Sequence, residues 1–149
     1  MRITKIVLAL VAALVVTGCA CKTKTIGEGK ENIPGPTAAS PLKDINFDFD
    51  KYNITPVAQG ILKDNAAWLK ANPAVKVQVE GHCDERGTSE YNMALGNRRA
   101  KSTFDYMKGL GIDGARMSTV SYGKELPLDP RHNEEAWAKN RRAHFNVQK

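Results

Sequence analysis

The sequence predicts an α+β domain in which two main helices pack on one mixed four-stranded sheet, in the order β-α-β-α-β-(α)-β. Three observations carry that reading. Val75-Lys76-Val77-Gln78-Val79-Glu80 alternates apolar and polar without a fault, the signature of a half-buried strand. Thr55-Pro56 opens a helix with an apolar stripe, and Thr88 opens a second, longer one. Arg142 to Gln148 alternates again through Ala143, Phe145 and Val147.

The domain begins near Leu42. Ile45-Asn46-Phe47-Asp48-Phe49-Asp50 alternates and predicts the first strand. In the helix that follows, Thr55 is the N-cap and Pro56 takes the first helical position, where a missing N–H costs nothing. Ala58, Ile61, Leu62, Ala66 and Leu69 form its core stripe, and Pro73 lies beyond its end. After the strand at 75–80, residues 81–87 form a loop. Thr88 caps the long helix and Glu90 favours its first turn. The expected core stripe is Met93, Gly96, Ala100, Phe104, Met107 and Leu110, and Gly109 and Gly111 stop the helix. Met117 to Tyr122 reads as a third strand closed by Gly123. Residues 133–139 suit a short helix before the last strand.

The 149 residues suffice for one domain with its own core. The formal charge is +6. Without residues 1–18, which carry Arg2 and Lys5, 20 basic side chains face 16 acidic ones. No basic run exceeds two residues, so nothing here points to nucleic acid. At the amino terminus, a short basic segment precedes the apolar run Ile6 to Val16, too short to span a bilayer and suited to a signal peptide. The run ends in Val16-Thr17-Gly18-Cys19, which resembles the bacterial lipobox. The resemblance implies cleavage after residue 18, lipid on Cys19 and, with Ala20 and no aspartate next, passage to the outer membrane. Residues 19–41 then form the lipidated end and a flexible tether rich in Gly, Pro, Thr and Ser. Fully extended, about 25 such residues reach roughly 85 Å.

The most informative stretch is Gly81-His82-Cys83-Asp84-Glu85-Arg86-Gly87-Thr88-Ser89-Glu90-Tyr91-Asn92 and the helix it enters. Asp84 precedes the helix. Asn92 and Arg99, seven apart, lie on nearly one face of it, with Arg99 at the edge of the packed surface. A carboxylate and a planar guanidinium beside a helix N-terminus can grip a zwitterion. The same residues equally allow a structural pair between Asp84 and Arg99 or Arg98.

These residues, with Phe47-Asp48-Phe49-Asp50-Lys51-Tyr52, Ser121-Tyr122-Gly123 and Asn140-Arg141-Arg142-Ala143, resemble the OmpA-like C-terminal domain family over about residues 42 to 148. The resemblance implies a domain that catalyses nothing and needs no cofactor. It implies non-covalent binding of peptidoglycan at the meso-diaminopimelate of the stem peptide. By position, Asp84 and Arg99 match the acidic and basic ligand contacts, Asn92 and Leu95 match helix positions near the pocket, and Phe49 and Asp50 match the end of the first strand. The resemblance also implies TolB and other Tol-system proteins as partners, a link between outer membrane and cell wall, and a part in constriction at division. A wall anchor of some other envelope assembly fits the same motifs. Arg86 reads as a ligand or partner contact or as a solvated side chain, and Arg141 and Arg142 as structural or surface residues.

Cys83 stands where the family usually has threonine. A buried thiol, a disulfide to Cys21, a link between molecules and a thiol or metal enzyme built on Cys83 are the competing readings. If the alternation of 75–79 runs on into the loop, the adjacent His82 and Cys83 point to opposite faces, and no CxxC or HExxH spacing accompanies them or His132 and His144.

Overall fold

A computed structural model describes residues 41–148, all within one compact unit. The signal segment, Cys19, Cys21 and the tether up to residue 40 lie outside the described residues.

Four strands form one sheet: β1 (Ile45–Asn46), β2 (Lys76–His82), β3 (Met117–Gly123) and β4 (Arg142–Gln148), in the spatial order β1-β4-β2-β3. β4 runs antiparallel to both neighbours, pairing Ile45 with Ala143 and Val79 with Phe145. β2 and β3 are parallel, joined across the long helix. Helices α1 (Pro56–Ala71) and α2 (Ser89–Gly109) cover one face, and α3 (Glu134–Asn140) precedes β4. The predicted α+β order therefore holds, with one added 3₁₀ turn at Gly114–Arg116. The first strand is far shorter than its alternation suggests. Pairing with β4 stops at Asn46, residues 49 and 50 turn, and Asp50 adopts a left-handed φ of 57°. Phe49 and Asp50 therefore lie in a turn rather than at a strand end.

Local chemistry places these elements as expected. The Thr55 and Thr88 hydroxyls accept from Ala58 N (3.2 Å) and Tyr91 N (3.2 Å), capping α1 and α2. Asn133 caps α3 in the same way, through Ala136 N at 2.9 Å. The far end of α1 is closed by a residue from another element. Arg116 donates to Leu69 O (3.0 Å), Asn72 O (2.8 Å) and Val75 O (2.8 Å), placing a cation where the helix exposes its last carbonyls.

The core lies between the helices and one sheet face, with Leu62, Leu69, Val77, Val79, Met107 and Phe145 at its centre. The buried side of α2 is Asn92, Leu95, Gly96, Arg99, Ala100, Thr103 and Met107. Met93 is 43% exposed, so the helix is rolled away from the stripe its apolar residues suggest, while Phe104 and Leu110 are only partly buried. Polar side chains hold the sheet-facing side because each finds a partner there. Thr103 donates to Arg99 O at 2.9 Å, for example.

The opposite sheet face carries Glu80 and His82 on β2 beside Arg142 and His144 on β4. His144 Nδ1 lies 2.8 Å from Asp44 Oδ1, and that hydrogen bond raises its pKa. Burial lowers the pKa of His82, which stacks on Tyr122 and lies 3.6 Å from Glu80. The two histidines bias stability in opposite directions. The contribution of His144 is complete below its unfolded pKa of about 6.5 and is lost as pH rises through its higher folded value. That of His82 is complete above about 6.5 and is lost as pH falls through its lower folded value. Thermal melts of His144→Gln should therefore lose the decline in stability on the alkaline side and keep the decline on the acid side.

Candidate functional site

The site begins with two glycines. A Cβ on Gly81 would sit 1.9 Å from Gly96 O, so β2 and α2 touch backbone to backbone. This close seating puts the first turns of α2 against the end of β2, with the turn after β1 closing the third side. Between them is a pocket of about 180 Å³. All six residues singled out for ligand contact line it: Asp84, Arg99, Asn92, Leu95, Phe49 and Asp50. Cys83, Arg86, Gly87 and Tyr91 complete the wall.

Arg99 is buried in that wall at 1% exposure, not at the edge of the packed surface. Its Nε donates to Lys51 O (2.8 Å), Nη1 to His82 O (2.9 Å) and Nη2 to Asp48 O (3.1 Å). It thus ties the turn after β1 to the end of β2. Among the described residues no carboxylate forms an ion pair with it. The paired arrangement of Asp84 with Arg99 or Arg98 does not occur.

Asp84 has other partners. Its carboxylate is buried and accepts from Arg86 N (3.1 Å), Arg86 Nε (3.2 Å), Arg86 Nη2 (2.6 Å) and Arg141 Nη1 (3.3 Å). Burial alone would raise its pKa, but the Arg86 and Arg141 hydrogen bonds outweigh burial and hold it below the usual carboxylate range. Arg141 is a buried structural partner, also donating to Phe47 O at 3.1 Å. Arg86 is not simply solvated. Its guanidinium lies 4.0 Å from the Phe49 ring centre and 4.3 Å from that of Trp137. The i, i+2 spacing of Asp84 and Arg86 in one loop is the only sequence signal for this pair, and none exists for Trp137.

The other wall residues divide by task. Asn92 is buried and donates to Arg86 O (2.8 Å) and Thr88 O (3.2 Å), shaping the loop. Leu95 supplies buried apolar wall. Phe49 is 55% exposed, which removes it from the core. Asp50 accepts a hydrogen bond from the Tyr91 hydroxyl, and its left-handed backbone marks a strained residue at the pocket rim. The pocket therefore presents two carboxylates and two guanidiniums, a charge pattern suited to a zwitterion.

Cys83 is buried under α2, where its thiol donates to Asn92 O at 3.3 Å, and burial raises its pKa. A thiol held neutral in this way is a poor nucleophile. His82, His132 and His144 face separate partners: Glu80, Glu85 and Asp44. Among the described residues no cluster of three His, Cys, Asp or Glu side chains could hold a metal ion.

The sequence model of the OmpA family matches residues 46–141. A peptidoglycan-associated lipoprotein from Haemophilus influenzae is 45% identical over 141 residues, covering 90% of this chain and 92% of that relative. The chain belongs to the OmpA family, in its peptidoglycan-associated lipoprotein branch. A second member of the branch, from Rhizobium meliloti, is 40% identical over 148 residues and is covered over 84% of its length by 93% of this chain. The crystal structure of the peptidoglycan-associated lipoprotein from Burkholderia pseudomallei superposes with a TM-score of 0.68 at 43% identity, covering 70% of this chain and 89% of that one. The C-terminal domain of Helicobacter pylori MotB, with a TM-score of 0.63 at 20% identity over 70% of this chain and 84% of its own, shares the fold alone. The names of these relatives describe peptidoglycan-associated lipoproteins, and the buried Cys83 thiol with its raised pKa gives the thiol-enzyme reading no support.

Proposed function

We propose that this domain binds peptidoglycan non-covalently, through the meso-diaminopimelate of the stem peptide, and ties the outer membrane to the cell wall. One observation carries the reading: Arg99, a buried cation, lines an open pocket and has no carboxylate partner among the described residues. A ligand carboxylate supplies the missing charge, and its fork geometry matches a guanidinium. The free end of diaminopimelate carries a carboxylate and an ammonium on one carbon, and the carboxylates of Asp84 and Asp50 stand in the same wall for the ammonium. The names of the relatives support association with peptidoglycan. The lipobox at Cys19 and the tether of residues 19–41 add a lipid anchor in the outer membrane. Tethering raises the local concentration of wall, so modest affinity suffices. TolB and the other Tol proteins are the expected protein partners, with a role in constriction at division.

Pull-down on purified sacculi tests the proposal. The wild type should be retained and should be released by a soluble diaminopimelate stem peptide. Asp84→Asn keeps the shape of the side chain and removes its charge, and should lower retention roughly tenfold or more, as loss of a buried charge contact does. Full retention of Asp84→Asn, or no release by the peptide, would overturn the assignment. Retention should also fall with added salt, because the contacts are charged and part of the pocket is open.

A further inference from the structure

We propose that Arg86 sets the selectivity of this pocket, acting as an internal counter-ion that a zwitterion can displace and a simple amine cannot. The inference rests on the ligand reading above and assigns a role that reading does not contain.

Asp84 is the buried carboxylate an incoming ammonium needs, and Arg86 already holds it through its backbone N–H, Nε and Nη2. The second cation on Asp84 is fixed. Arg141 is 7% exposed at its side chain and also bonds Phe47 O and Glu134. Arg86 is the more exposed of the two, so it is the one a ligand can reach and displace. Its side chain is 32% exposed, and its guanidinium carbon lies 4.0 Å from the Phe49 ring centre and 4.3 Å from that of Trp137, cation–π contacts rather than fixed hydrogen bonds. Its Nη1 lies 3.7 Å from Glu134, whose side chain is 64% exposed.

Charge accounting then decides which ligands can enter. A zwitterionic end brings a carboxylate that Arg86 and Arg99 can share, and an ammonium that takes the place Arg86 leaves on Asp84. The exchange leaves no charge without a partner. A lysine side chain at the same stem position brings the ammonium alone. It would displace Arg86 from Asp84 without bringing a carboxylate to take it up, and the buried Arg99 would stay without an acidic partner among the described residues. Leaving a desolvated charge unpaired is the costly outcome, so rejection of the amine comes from charge and not from size.

The test uses the full-length protein and two soluble stem peptides that differ only in carrying meso-diaminopimelate or lysine at the third residue. Titration calorimetry gives both affinities. The wild type should favour the diaminopimelate peptide by at least about tenfold. In Arg86→Gln the lysine peptide should bind more tightly than it does to the wild type, and the ratio should collapse. Arg86→Lys restores a cation and should recover part of the preference. A merely structural Arg86 would lower both affinities in parallel and leave the ratio unchanged, which would overturn the inference while leaving the ligand assignment standing. Failure of the wild type to bind either peptide would overturn both.

Discussion

Arg99→Ala should cost about 2–4 kcal/mol of folding stability as well as wall binding, because three hydrogen bonds from a charged donor disappear and their carbonyl acceptors stay in place. The cost is not larger because the same change removes a buried cation that forms no ion pair among the described residues. Sequence spacing alone leaves open whether this arginine contacts a ligand or pairs with Asp84. The structure gives it a second task. Lys51 O, Asp48 O and His82 O converge on one guanidinium, so the turn after β1 and the end of β2 are positioned by it. Arg99→Lys should recover little of the loss, since an ammonium lacks the planar fork that reaches three separated carbonyls. Urea unfolding beside sacculus pull-down checks the prediction. A variant of wild-type stability that fails only in binding would show that the carbonyl contacts contribute little.

Gly81→Ala should be the more damaging single change outside the charged residues. The new methyl would overlap Gly96 O at 1.9 Å and Gly96 C at 2.6 Å, both backbone atoms that no rotamer change can move. α2 would have to lift from β2, and overpacking of this kind costs upwards of about 3 kcal/mol. Gly96→Ala meets Ser121 Oγ at 2.3 Å and Gly81 O at 2.8 Å from the other side and should behave similarly. Gly60, on the exposed side of α1, has nothing within 4 Å of a new Cβ. Gly60→Ala should therefore stabilise by roughly 0.5–1 kcal/mol through helix propensity and a stiffer unfolded chain. Opposite shifts in melting temperature for these glycines are the expected result. A Gly81→Ala protein that melts with the wild type would refute the backbone-contact account.

Much of the fold is visible in local chemistry. Thr55-Pro56, Thr88 and Asn133 mark helix starts because capping is a contact between residues three apart. The strands predicted at 75–80 and 142–148 follow from period-two alternation, although the first runs on through Gly81 and His82, which the sequence reading assigns to the loop. The same rule overextends the first strand, because alternation cannot reveal that pairing ends at Asn46. The roll of α2 is misjudged for a related reason. Periodicity weighs apolar residues only, while Asn92, Arg99 and Thr103 are buried on the strength of hydrogen-bond partners.

What the sequence alone determined is the element order, the helix caps and, through the family resemblance it carries, the six residues that line one pocket. Only the tertiary structure decided who holds whom. Arg99 answers to carbonyls from residues 48, 51 and 82, Asp84 to Arg86 and Arg141, and Arg86 to rings at positions 49 and 137. Capping and alternation are short-range and leave a trace in spacing. The partner of a buried charge is whichever group the folded backbone brings close, and apart from Asp84 and Arg86, two apart in one loop, these partners lie 17 to 57 residues away in sequence, where no local pattern encodes them.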